Sequence, residues 1–291
     1  MKKKILMTGT TGYVTRHLAS YLSTQGYEVE QISVRNNAWE TSSFGSFDTI
    51  IHTAALVHNN MPNARFSDYI RVNTTLTTRI AKKAKQEGVK QFIFMSTMAV
   101  YGLEGSVGEK TIINEKTKLQ PRTDYGISKL KAEEKLNELE DDAFKVAIVR
   151  PPMIYGANSP GNFDKLKRVA QLLPVLPLIN NQRSALYIEH LNRYISELIH
   201  LEASGIYHPQ DEFYFETTKV MKEIRKILDK RTITVPVPIL IYPLLNKVPL
   251  FKKIFGHLVY DSNIDQQTTI TMNQVNFNLT MQEIVRNEKK A

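Results

Sequence analysis

The apolar run KILM leads directly into TGTTGYVTRHL, Thr8 to Leu18, and this junction restricts the fold more than any other part of the chain. A strand read at Lys3 to Met7 must turn at Gly9 and Gly12. It then enters a helix over Gly12 to Gln25, whose apolar positions Val14, Leu18, Tyr21 and Leu22 recur at helical spacing. Strand, glycine turn and helix in that order open a parallel α/β sheet. In such a turn the first glycine permits the tight bend. The second lets backbone N–H groups approach a pyrophosphate at the positive end of the helix, and a third only brings helix and sheet close together. Thr15 stands in the third position. The phosphate-facing pair is therefore intact, and the expectation is a slightly wider helix–sheet gap or a Thr15 methyl turned inward.

The alternation continues. Tyr27 to Val34, Asp48 to Thr53, Phe92 to Ser96 and Phe144 to Arg150 read as strands, and roughly Ala64 to Gly88 and Thr123 to Glu140 read as helices. The fold class expected is α/β, a Rossmann-type doubly wound parallel sheet. Between Arg35 and Asp48 only NNAWETSSFGSF is available, too little for a full helix and strand, so the sheet should be trimmed after strand two. Beyond Arg150 the chain turns rich in prolines. The expected division is a dinucleotide-binding domain over 1–155, joined by about 183–202 returning to it, and a smaller substrate-binding lid over 156–291.

Composition removes several alternatives. With no cysteine, disulfides, thiolate metal sites and a cysteine nucleophile are excluded, and no metal site is expected. MKKKILM has too short an apolar segment for a signal peptide, so a cytoplasmic location is expected. The net charge of +9 attracts anions generally, but no arginine-rich tract interleaved with aromatics points to nucleic acid. Val235 to Val259 is strongly apolar, yet four prolines and Lys247, Lys252 and Lys253 interrupt it, so it cannot span a membrane. Packing within the smaller domain is its first reading, and a weak membrane-surface contact its second.

One further spacing carries chemistry. In PRTDYGISK, Tyr125 and Lys129 lie four apart and share a helix face, just after the strand that carries Ser96 and Thr97. A phenol, with its pKa of about 10, works as an acid or base near neutrality only when cations stabilise its anion. Lys129 supplies one such cation, and the Thr97 or Ser96 hydroxyl could hold a reacting oxygen.

TGTTGYV, HTAALVH, VNTT, FIFMSTMAVYG, YGISK and VRPPMIYG occur in the order and spacing of the extended short-chain dehydrogenase/reductases that act on nucleotide sugars. The resemblance is to the epimerase/dehydratase type, most strongly to bacterial UDP-sugar 4-epimerases and UDP-4-keto-6-deoxy-HexNAc reductases. It implies Tyr125 as general acid/base and Lys129 as its modulator and a ligand of the nicotinamide ribose. It implies Thr97, with Ser96 as a lesser stand-in, as the hydroxyl on the reacting sugar oxygen. Gly9, Gly12, Tyr13 and Val14 match the diphosphate turn, and His52, Thr53, Ala54 and Ala55 the strand end beneath the cofactor. Asn73 matches an asparagine near the active site, and Arg183 an arginine that holds the substrate diphosphate. Members commonly dimerise through helices, including the one bearing Tyr125, so a homodimer is a further expectation.

Three departures refine the implied activity. Dehydratases of this family place an acidic pair after the threonine, where this chain has Met98 and Ala99. NAD-preferring members end strand two with an acid that bonds the ribose hydroxyls. Arg35 stands there and could pair with a 2′-phosphate, so NADP(H) is expected over NAD(H). Met153 replaces a substrate-binding asparagine of many epimerases. The function expected is an NAD(P)-dependent oxidoreductase or epimerase at C4 of a nucleotide sugar, a UDP-HexNAc or its 4-keto-6-deoxy derivative, in surface polysaccharide precursor synthesis. A redox-neutral UDP-glucose/UDP-GlcNAc 4-epimerase with tightly bound NAD is the alternative. A non-catalytic NAD(P)-binding sensor is a remoter one.

Overall fold

Residues 2–57, 63–265 and 277–287 are described by a computed structural model. His58, the last residue of HTAALVH, lies outside them. Along the chain run β1 (Lys4–Thr8), α1 (Tyr13–Thr24), β2 (Glu28–Ile32), α2 (Ala38–Thr41), β3 (Thr49–His52), α3 (Phe66–Tyr69), a π-helix (Ile70–Leu76), α4 (Thr77–Gln86) and β4 (Gln91–Met95). There follow β5 (Lys110–Ile113), α5 (Asp124–Asn137), β6 (Lys145–Val149), β7 (Met153–Tyr155), α6 (Asn162–Leu172), β8 (Val175–Leu178), β9 (Ala185–Tyr187), α7 (Ile188–His200) and β10 (Gly205–Tyr207). The last elements are α8 (Thr217–Ile227), β11 (Ile233–Pro236), α9 (Tyr242–Leu245), α10 (Pro249–Phe255), β12 (His257–Tyr260) and α11 (Phe277–Asn287).

The chain groups into two units. The first comprises Met1–Gly102, Lys118–Pro151 and Ile188–Pro209. Its six strands form one parallel sheet in the order β10-β6-β4-β3-β1-β2. Leu6, Ile50, Phe92, Phe94, Val146 and Ile148 share one face of it and pack with Ile80, Ala81 and Ala84 of α4 and Ala132 and Leu136 of α5. Ile5, Met7, Ile51 and Ile93 are buried on the other face. A sheet buried on both sides reads as unbroken apolar runs, which is why its strands stand out in the sequence. Gly26, at φ +89°, closes α1 in a conformation that suits glycine. Only the single turn of α2 lies between β2 and β3, and β2 is the sheet edge, as the shortness of that stretch implies.

The second unit comprises Leu103–Thr117, Pro152–Tyr187 and Gln210–Ala291. Among the described residues it holds three two-stranded parallel pairs, β7 with β9, β8 with β11 and β5 with β12. Tyr155, Phe163, Tyr187 and Phe215 form its aromatic centre, with ring centroids 5.5–5.7 Å from that of Tyr155.

Three expectations need correction here. Leu103–Thr117 groups with the second unit because β5 pairs with β12, a partner far away in sequence that local pattern cannot announce. Of the stretch 183–202 only the part from Ile188 onward lies in the first unit, because β9 is taken by β7. Val235 to Val259 was expected to pack within the smaller domain, but no residue from Ile233 to Leu250 is buried. Burial resumes at Phe255 and through β12.

Candidate active site

The glycine turn shows why its two glycines are needed. Gly9 adopts φ +130°, and a methyl on it would stand 2.9 Å from Thr53 Oγ1. A methyl on Gly12 would stand 3.0 Å from Thr15 Oγ1. Those two hydroxyls are themselves bonded at 2.7 Å, and Thr53 Oγ1 donates to the Thr8 carbonyl at 3.2 Å. Thr15 is therefore the donor to Thr53. The expected inward methyl is corrected: Thr15 turns its hydroxyl toward the sheet, because Thr53 offers that hydroxyl a partner. Gly12 caps α1 without a side chain, and the first turn carries no acid. The positive end of a twelve-residue helix is thus left for an anion.

Around this turn lies a cleft of about 650 Å³. Of the residues expected at a cofactor, Gly9, Gly12, Arg35, Thr53, Ala54 and Ala55 line it, whereas Tyr13, Val14, His52, Tyr125 and Lys129 do not. Trp39, Arg71, Arg79 and Leu56 also line it and were missed by the sequence reading. Arg79 sits over the Trp39 ring at 5.4 Å and pairs with Glu40 at 2.9 Å, and Arg71 pairs with Asp68 at 2.7 Å. Among the described residues the Arg35 guanidinium reaches only Thr11 Oγ1, at 3.4 Å, and no carboxylate meets its charge as theirs are met. A glycine turn, an uncapped helix start, an aromatic wall and an unmatched arginine fit a dinucleotide.

His52 was expected beneath the cofactor but is fully buried within the protein. Its Nδ1 lies 2.6 Å from Thr8 Oγ1 and its Nε2 2.9 Å from Thr77 Oγ1. Thr77 gives its own proton to the Asn73 carbonyl at 2.8 Å, so Nε2–H must donate to Thr77, and Nδ1 accepts from Thr8. This is the neutral imidazole. Burial, aided by the charge of Lys129, pulls its pKa down to about 3.

Thr97, Tyr125 and Lys129 form a second cluster of the same unit, at the C-terminal end of β4. Thr123 caps α5 through Gly126 N at 3.1 Å and so starts the helix that presents Tyr125 and Lys129. Thr97 Oγ1 accepts from Ala99 N at 3.2 Å and is hydrogen-bonded to the Tyr125 phenol. Tyr125 is half-buried as a residue, yet its phenol is enclosed enough that burial pushes its pKa up to about 12, with the Thr97 bond drawing it the other way. Lys129 Nζ donates to the Met95 carbonyl at 2.7 Å and lies 6.0 Å from the centre of the Tyr125 ring. Burial brings its pKa down to about 7, opposed by the charge of Glu133.

Two other expected residues have different work. The Ser96 hydroxyl donates to Glu133, which is in turn held by Arg150 at 2.6 Å, and Arg150 bonds Tyr101 at 2.9 Å. Ser96 is therefore tied into a buried network. Asn73 is also fully buried: its amide accepts from Leu56 N at 2.7 Å and donates to Leu56 O and to Ser128 Oγ, both at 3.0 Å. It sits in the π-helix, whose extra backbone turns are common at functional sites. It joins the cleft wall at Leu56 to the helix turn beside Lys129. Glu133 and Arg150 were missed. The one available signal was the position of Glu133 four residues past Lys129, on the same helix face.

Arg183 belongs to the second unit. Its Nη1 donates to the Gly256 carbonyl at 2.9 Å, and burial lowers its pKa.

Residues 5–176 match the NAD dependent epimerase/dehydratase family. The chain belongs to that family. It is 31% identical to the UDP-glucose 4-epimerase of Vibrio cholerae over 94% of this chain and 87% of that protein. The fold of this epimerase/dehydratase family member is similar to that of UDP-glucuronic acid 4-epimerase from Bacillus cereus in complex with NAD, at a TM-score of 0.74 and 18% identity over 99% of both chains. It is similar also to that of dTDP-4-dehydrorhamnose reductase from Bacillus anthracis in complex with NADP, at a TM-score of 0.70 and 18% identity over 99% of this chain and 100% of that one. The chain is accordingly an NAD(P)-dependent enzyme. Among the described residues no helix is long and apolar enough to cross a membrane.

Proposed function

We propose that this family member moves a hydride at C4 of a nucleotide-activated sugar, with net reduction of a 4-keto-6-deoxy N-acetylated hexose as its reaction. The observation that carries this reading is the Thr97–Tyr125–Lys129 cluster. A bound nicotinamide would supply or accept the hydride. Tyr125, protonated at rest because its phenol is held near 12, gives its proton to the sugar oxygen as that oxygen gains negative charge. Thr97 holds the same oxygen and steadies the phenol. A charged Lys129 lowers the cost of the phenolate that remains. Met98 and Ala99 bring no carboxylate to this site, in keeping with hydride exchange without loss of water.

NADP(H) is the proposed cofactor, because Arg35 is the cleft cation with no carboxylate partner and a 2′-phosphate would supply its anion. Arg183 keeps the proposed role of a cation for the substrate diphosphate, since its Nη1 hydrogen bond runs to the Gly256 carbonyl and leaves its charge unneutralised. Redox-neutral 4-epimerisation with retained NAD is the second reading, favoured by the Vibrio cholerae relative. Stoichiometry separates the two. With a UDP-4-keto-6-deoxy sugar, a reductase consumes one added NADPH for each product formed. Turnover of a UDP-hexose with no added cofactor would instead establish the epimerase.

A further inference from the structure

The segment from Ile233 to Leu250 is folded, yet it is turned outward. Asn246 grips the backbone of Val107, accepting from its N–H at 2.8 Å and donating to its carbonyl at 3.2 Å. The Tyr242 ring lies over Gly108, where a methyl would meet the ring at 2.5 Å. Pro236, Pro238, Pro243 and Pro249 stiffen the backbone between these anchors. What remains is apolar and open: Ile239 is 77% exposed, Leu240 94%, Leu244 63% and Leu250 62%. The strand pair that precedes it also exposes apolar side chains, since Ile233 pairs with Val175 in register and both are exposed, while Leu176 is buried. Soluble proteins seldom leave so many apolar side chains together in water without a partner for them.

The charges nearby select the partner. Residues 230–256 contain Lys230, Arg231, Lys247, Lys252 and Lys253 and no aspartate or glutamate. Lys252 is bonded to Glu104 at 3.2 Å. A second copy of the same segment would bring like charges together, whereas an anionic lipid surface answers both the cations and the apolar side chains. We propose that this face of the second unit docks the enzyme on an anionic bilayer surface, with Ile239, Leu240, Leu244 and Leu250 entering the headgroup boundary and Lys247 and Lys253 meeting lipid phosphates. The proposal does not rest on the sugar reaction assigned above.

Co-sedimentation of the full chain with phosphatidylglycerol-containing vesicles, and with phosphatidylcholine vesicles as reference, tests it. Wild type is expected to pellet with the anionic vesicles at low salt and to bind about tenfold more weakly at high salt, where charges are screened. Leu240→Ser/Leu244→Ser should lose most binding to either vesicle. Lys247→Glu/Lys253→Glu should lose the preference for anionic lipid. Both variants alter exposed positions, so turnover of a soluble nucleotide sugar is expected to stay at the wild-type level, which separates failure of docking from failure of the assigned reaction. No sedimentation of wild type with anionic vesicles at low salt would overturn the proposal, as would wild-type binding by the leucine variant. A dimer in light scattering that the leucine variant dissociates, with no vesicle binding, would assign the face to a second copy instead.

Discussion

Lys129 stands 6.0 Å from the centre of the Tyr125 ring and gives its hydrogen bond to the Met95 carbonyl, so it acts on the phenol through charge across a gap. Its own charge is costly where it lies. The folded pKa of about 7 is far below the ordinary lysine value, so between pH 7 and about 10.5 the unfolded chain binds a proton that the folded one does not. Stability contributed by this group must rise with pH through that window. Lys129→Met, which removes the buried charge, is expected to melt above wild type at pH 6, with the advantage shrinking toward pH 9, while turnover falls by about 10²-fold or more. Differential scanning calorimetry at both pH values checks the sign.

His52 works in the acid range. Its folded pKa of about 3 lies below the ordinary 6.5, so the unfolded chain takes up a proton first as pH falls from 6.5. Stability should therefore decline over that interval. His52→Gln, which cannot ionise, is expected to be less stable than wild type at pH 7 because the Thr8 and Thr77 bonds are disturbed. Its denaturation midpoint should nevertheless change less between pH 6.5 and pH 4, as urea titrations at the two pH values would read.

Thr15→Gly would create the third glycine that the turn lacks. The hydroxyl bond to Thr53 would be lost and a glycine placed in a helix, so a destabilisation of about 1–2 kcal/mol is expected. Affinity for NADPH should change by less than about threefold, since the phosphate-facing glycines are untouched. Trp39, the only tryptophan and part of the cleft wall, gives a fluorescence signal for that titration.

The proposed preference for NADP(H) rests on Arg35. Arg35→Ser is expected to weaken NADPH binding by about 10–100-fold, the worth of a charge-assisted bond, and to leave NADH binding nearly unchanged. Equal losses for both cofactors in the same Trp39 titration would remove the basis for the 2′-phosphate assignment.

How much of this could be read from residues alone follows from the range of the interactions involved. The strands of the parallel sheet were legible because burial on both faces makes each an apolar run. Tyr125 and Lys129 were legible because helix periodicity places them together. The partners of Ser96 and Asn73 were not, since Glu133 lies 37 residues from Ser96 and Ser128 lies 55 from Asn73, and a hydroxyl or amide carries no mark of whether it faces protein or substrate. Likewise the pairing of β5 with β12 and the outward turn of Ile239 and Leu240 depend on contacts that only the folded unit sets.

The most direct measurement is transfer of label from NADPH deuterated at the nicotinamide C4 to a UDP-4-keto-6-deoxy-N-acetylhexosamine, with wild type and Tyr125→Phe compared. The expected result is one deuterium at the sugar C4 with wild type and a rate about 10²–10⁴-fold lower with the phenylalanine variant. Wild-type rates from Tyr125→Phe, or a product without deuterium at C4, would contradict the assignment of Tyr125 as the proton donor in hydride transfer at that carbon.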